Sequence, residues 1–194
     1  MPKLSRESLL TLEAYAKARK DFRTQVIAHK KDRTLHLGEH VTLLFEDELT
    51  IRYQVQEMLR VEKIFEEAGI QDEPDAYNPL IPDGRNWKAT MLIEYEDENE
   101  RRGALARLKG VETKTWVRVE GCPKVFAIAD EDLERETDEK TSSVHFLRFE
   151  LTDEMVAALK YGMALAVGID HPHYRAEIDP VPAAVRAALL ADLA

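Results

Sequence analysis

Three groupings of residues in this 194-residue sequence carry side chains that could do chemistry. Arg52, Gln56 and Arg60 recur at i, i+4 and i+8 and share one face of a helix, with Tyr53 and Glu57 on the adjoining face. A guanidinium beside an amide and a carboxylate suits the grip of an anionic group, and Glu46, Asp47 and Glu48 lie just upstream to extend the network. The plainer alternative is a solvated helix face whose Glu and Arg pairs are worth about 0.2–0.5 kcal/mol each. No nucleophile accompanies this grouping, so an anion enzyme centred on Arg52 cannot be told from a structural network by sequence.

The second grouping is His29, His36 and His40, with Glu39 between the last two. Neutral imidazoles and a carboxylate can bind zinc, iron or manganese, and one imidazole alone can be an axial haem ligand. Gly38 interrupts the spacing that would align His36 with His40, and Lys30 and Lys31 beside His29 oppose a cation. The third grouping is Asp170-His171-Pro172-His173-Tyr174. In an extended segment His171 and His173 project to the same side, and Pro172 favours that conformation for His171. Asp170 could fix a tautomer, while a further metal ligand would come from elsewhere, with His40 and His145 as candidates. Exposed histidines leaving a helix are the alternative.

The usual handles for catalysis are missing: the sequence contains no GxGxxG, Walker A, GxSxG or HExxH motif. Its one cysteine, Cys122, excludes an intramolecular disulfide, and no iron–sulfur cluster is expected in this chain, so any such redox chemistry would be borrowed from a partner.

The elements that must position these groups read as an α+β pattern, helices first, then strands, then helices. Apolar spacing predicts a helix from Ser5 through Ala16, a second over 18–31, a strand over 41–45 and a long helix over 48–68 capped by Gly69. The segment 70–86, with three prolines, reads as a long irregular loop, and loops of this length are commonly functional. Strands are expected over 89–95, 115–119, 124–128 and 144–151, mainly antiparallel, with a short helix over 101–109 between the first two. Helices at 155–161 and 181–193 close a single α+β domain over 1–194.

Composition narrows the partners. The chain carries 27 Lys and Arg against 37 Asp and Glu, a net charge of −10. Residues 1–36 hold nine bases and four acids, a basic helical arm, and the rest is correspondingly acidic, most densely at 94–100 and 130–139. An acidic body repels phosphate backbones, so nucleic acid is not expected as a partner. No apolar run is long enough to span a bilayer and the start lacks a signal-peptide pattern, so a cytoplasmic chain is expected. The basic arm is expected to dock on the acidic body of its own chain or of a second copy, which makes a homodimer a candidate assembly.

Four stretches, FRTQVIAHKKDRTLHLGEHVTLLFEDELTIRYQVQEMLRVEKIFEEAGIQDE, DAYNPLIPDGRNWKATMLIEY, DEDLERETDEKTSSVHFLRFEL and GIDHPHY, together resemble the bacterial family called domain of unknown function 3501 over about residues 18–174. What the resemblance implies is context: members are often encoded beside a rubrerythrin-like di-iron protein and an iron–sulfur oxidoreductase. That points to a binding or accessory protein of a redox or peroxide-response system. It supplies no catalytic residues. The competing expectation is a metal- or haem-dependent enzyme using the His29/His36/His40 or the His171/His173 cluster.

Overall fold

The computed structural model describes residues 3–64 and 66–194, leaving aside the side chains of Glu67, Ala68 and Gln71. Helix α1 (Leu12–Lys31) is followed by strands β1 (Thr34–Leu37) and β2 (Val41–Glu46) and by helices α2 (Glu48–Glu62) and α3 (Glu67–Tyr77). Then come β3 (Asn86–Ile93), α4 (Glu98–Arg107), β4 (Thr115–Val119), β5 (Val125–Phe126), β6 (Ile128–Ala129) and β7 (Val144–Glu150). The chain ends with α5 (Asp153–Lys160), β8 (Leu165–His171), β9 (Tyr174–Ile178) and α6 (Ala183–Leu190). This is the expected α+β class.

Among the described residues the strands form two antiparallel sheets, one ordered β1-β2-β3-β7-β6 and the other β5-β4-β8-β9. Alternation along β3 sends Trp87, Ala89, Met91 and Ile93 into the core and leaves Lys88, Thr90 and Leu92 on the opposite face. The main core joins both sheets: Leu43, Phe45, Trp87 and Phe149 from the first meet the same apolar cluster as Val117, Val119, Leu165 and Val167 from the second. Burying each such side chain is worth about 1.5–3 kcal/mol. Trp87 also donates its indole N–H to the Leu189 carbonyl at 2.9 Å, which fixes α6 over the first sheet.

A second, smaller core forms from Leu4, Ile51, Val55, Leu59 and Ile81. Here the Asn78 side chain closes on the backbone of Leu4, accepting from its N–H at 2.7 Å and donating to its carbonyl at 2.9 Å.

Several local expectations are corrected. The helices expected over 5–16 and 18–31 are largely one, α1, capped by Thr11, whose Oγ1 accepts from the Ala14 N–H at 3.2 Å; no breaker separates Ala16 from Ala18. The long helix expected over 48–68 stops at Glu62, where Lys63 turns left-handed with φ 54°. Gly69 is not its cap but lies inside α3, where a Cβ would sit 2.8 Å from Ile64 Cγ2. Residues 70–77 of the segment expected to be an irregular loop are therefore helical, with Pro74 inside α3 at the loss of one backbone donor. The basic arm contains only one long helix and passes into β1 at Thr34, and α1 docks on α2 of its own chain.

Candidate functional site

Each polar group singled out in the sequence has a definite place. Glu57 is the hub of the α2 grouping: it receives two parallel hydrogen bonds from Arg19, a 2.6 Å bond from the Tyr15 hydroxyl and a 3.1 Å bond from Arg60. The Arg19 guanidinium holds the Glu57 carboxyl down at about 2, and burial beside Glu57 raises the Tyr15 phenol. Gln56 is buried and reads the backbone of Leu10 as a neighbouring strand would, accepting from its N–H at 2.7 Å and donating to its carbonyl at 3.3 Å. Arg52 lies 3.4 Å from Glu48 and over the Phe22 ring. Gln56 and Glu57 thus fasten the N-terminal segment to α2.

The histidines are dispersed. His29 Nε2 meets Asp47 Oδ2 at 2.5 Å, His36 Nδ1 meets Thr42 Oγ1 at 3.1 Å, and His40 Nδ1 meets the Glu94 carbonyl at 3.0 Å while its ring stacks on Tyr95. The segment expected to hold His171 and His173 extended is a hairpin, with His171 paired to Tyr174 and Pro172-His173 forming the two-residue turn. Proline's fixed φ suits that first turn position. His171 is buried with both ring nitrogens engaged, Nε2 by the Lys109 carbonyl at 3.0 Å and Nδ1 by the His173 N–H at 3.2 Å. Asp170 pairs with Lys124 at 2.7 Å, which lowers its carboxyl. Among the described residues no three His, Cys, Asp or Glu side chains come together as metal ligands.

Two further constellations remain. One is a buried network around His145, the fully enclosed residue that the sequence offers as a further metal ligand. Its Nδ1 meets Asp130 Oδ2 at 2.6 Å, and its Nε2 faces Thr141 Oγ1 at 3.0 Å and the Ser142 carbonyl at 3.1 Å. Glu112 stands 3.9 Å away, pushed up by burial. Hydroxyl, imidazole and carboxylate in this order have the geometry of an activated nucleophile. With Thr141 1% and His145 0% exposed, no substrate reaches them, so the network pins the 130–142 segment to β7.

The other is a cleft of about 440 Å³ between α2, α3 and the outward face of the first sheet. Met58, Tyr77, Leu80 and Phe146 give it apolar walls, and Lys88, Arg148 and Arg135 bring cations to it. Arg148 is spent on Glu131, with two 2.8 Å bonds, and on Glu150 at 2.6 Å. Arg135 is spent on Asp132 and Asp130. Lys88, half-buried and set opposite Arg148 in the strand register, makes no hydrogen bond or ion pair among the described residues. Burial, then the charge of Arg148, pushes its ammonium below the ordinary lysine value. Glu73 on the α3 wall is pushed up by burial, then by Glu62 and Asp72. A shallower depression beside His40, lined by Glu94, Tyr95 and Arg101, lacks such walls.

The segment 70–86, expected to be a functional loop, supplies Glu73, Tyr77 and Leu80 of the wall, but the sequence singles out none of Lys88, Phe146 and Arg148 as a site. The signal available was the strand alternation in NWKATMLI, which puts Lys88 on the face away from Trp87 and Met91.

Comparison with known proteins adds kinship and no reaction. No curated protein matches the chain. A crystal structure described as a novel protein of unknown function from Burkholderia pseudomallei K96243 is 60% identical, covers all of both chains and superposes with a TM-score of 0.92. The model of the family described as protein of unknown function (DUF3501) matches residues 3–193, and the chain belongs to that family.

Proposed function

We propose that this is a binding protein, an accessory of a bacterial redox or peroxide-response system, which docks through the 130–139 segment and takes a ligand into the adjoining cleft. The carrying observation is that this acidic segment is a fixed surface and not a loose tail. Asp130 is held by His145, Glu131 by Arg148, Asp132 by Arg135, and Glu136 by the Gly110 N–H at 2.9 Å. Glu134, Asp138 and Glu139 are left without ion pairs among the described residues, and Leu133 beside them is exposed. Acid around an exposed apolar residue suits a basic partner face, and charge complementarity speeds and orients the encounter. Because Glu131 and Asp132 also line the cleft, a partner on this segment would meet the cleft's occupant.

The redox setting rests on the family resemblance, which implies a rubrerythrin-like protein and an iron–sulfur oxidoreductase as partners. The test is titration of each purified partner into the full chain at low and high salt. Binding that weakens with salt, and at least tenfold in a Glu134→Lys, Asp138→Lys variant, supports the reading. Absence of binding to both partners at low salt overturns it.

A further inference from the structure

Lys88 is a cation on a half-buried strand face that makes no direct hydrogen bond or ion pair among the described residues and feels Glu131, Asp83 and Glu150 only at a distance, and such a group is costly to keep unless an anion completes it. The other two cations of the cleft are already neutralised by bonds to Glu131, Glu150, Asp132 and Asp130. Lys88 is therefore the cation of the cleft lining left to meet a ligand's charge, the lining as a whole being balanced, with Lys88, Arg135 and Arg148 against Glu73, Glu131 and Asp132.

Around it stand Glu73, Glu131 and Asp132, which disfavour a second negative charge on an occupant. The remaining surface is mostly apolar, from Met58, Leu80 and Phe146, and the volume is within the range of about 300–1,000 Å³ typical of small-molecule sites. A monoanion with an apolar body satisfies both features. A phosphate dianion satisfies neither. A raised Glu73 carboxyl on the α3 wall also lessens the repulsion an incoming anion meets.

We infer that the cleft binds a free carboxylic acid with an apolar body, its carboxylate on the Lys88 ammonium and its body between the side chains of Met58, Leu80 and Phe146. This rests on the cleft being the ligand site of the proposed binding protein, and it adds the ligand's chemical class. Lys88 then supplies recognition of charge and the walls supply recognition of length and shape.

Calorimetric titration of the full chain with octanoate, octanamide and inorganic phosphate, each separately, tests it. Octanoate is expected to bind one to one and at least tenfold more tightly than octanamide or phosphate. Lys88→Met should reduce octanoate to the level of octanamide, while Lys88→Arg keeps a preference for the acid; circular dichroism of both variants checks that they fold. Octanoate binding no more tightly than octanamide or phosphate, or equally well to Lys88→Met, overturns the inference, as does binding of a leucine-terminated peptide where octanoate fails. Equal binding of octanoate and octanamide, both lost in Leu80→Glu, would remove the carboxylate and keep the cleft as a ligand site. Binding of neither, with no redox partner bound, would remove the proposed function as well.

Discussion

Arg19 grips Glu57 with a parallel pair of hydrogen bonds, Nε to Oε1 at 2.7 Å and Nη2 to Oε2 at 2.9 Å, and so joins the basic first helix to the acidic helix that follows the first hairpin. One basic residue of the arm is thereby paired with an acid of its own chain. Glu57 is depressed to about 2 from an ordinary 4.5, so its contribution is fully present above pH 4.5 and is lost as pH falls from there toward 2. Glu57→Gln should therefore cost about 1 kcal/mol at neutral pH, after solvent screening, and the difference from wild type should vanish in acid. Urea denaturation at pH 7 and at pH 2 or below checks both halves.

Arg33 is a stronger anchor because it is buried. Its guanidinium donates to the Phe45 carbonyl at 2.8 Å, to the Glu46 carbonyl at 3.1 Å and to Asp192, and lies 3.4 Å from Asp47. Asp192 is raised by burial even beside Arg33, so the pair is held at a desolvation cost. Removing one partner strands the other: Arg33→Met should destabilise by about 3–5 kcal/mol, and Arg33→Met with Asp192→Leu should recover part of that. Equal losses in the single and double variants would show that Arg33 acts through its carbonyl contacts alone.

His145 should control the docking segment. Replacing it with Phe removes the bond to Asp130 and leaves that partly buried carboxylate on Arg135 and the Phe146 N–H alone. Hydrogen exchange across 130–142 should then speed up, while exchange in the β8–β9 hairpin stays unchanged. Partner affinity should fall with it, because a loosened acidic surface must be ordered again on binding.

Much of the fold was legible in sequence because periodicity reports burial. The alternation of VTLLFE and the apolar spacing of Ile51, Val55 and Leu59 both match the observed buried faces. Pro74 misled because proline is read as a helix breaker, yet α3 tolerates the lost donor. The hairpin of His171 and Tyr174 was missed because Gly168 interrupts the apolar run. In the fold that glycine is the residue a strand needs, since a Cβ there would lie 2.5 Å from the Trp116 ring. The site was least legible of all: Phe146 and Met58 lie far in the chain from Leu80 and Lys88, and nothing local marks Lys88 as unpaired.

Gly168→Ala should accordingly destabilise by about 1–3 kcal/mol, since both the Trp116 ring and the Ala176 carbonyl, 2.8 Å from the new Cβ, must move. A melting temperature equal to that of wild type would show that the second sheet yields easily.

Lys88 makes a prediction of opposite sign. Its folded-state value lies below the ordinary 10.5, so the folded chain holds this proton less readily than the unfolded one. The unliganded protein is therefore destabilised by the charge at neutral pH, and the penalty fades as pH rises toward 10.5. Lys88→Met should melt at a higher temperature than wild type at pH 7, with the gap narrowing as pH rises and closing only above 10.5. A lower melting temperature at pH 7 would mean that the ammonium is already compensated.

Hydrogen exchange on the full chain, alone and with saturating purified rubrerythrin-like protein, tests the binding surface most directly. Slowed exchange is predicted across 130–142 and in the cleft walls at 76–80 and 146–148, with the β8–β9 hairpin unaffected. Protection confined to that hairpin, or no protection anywhere, would contradict it.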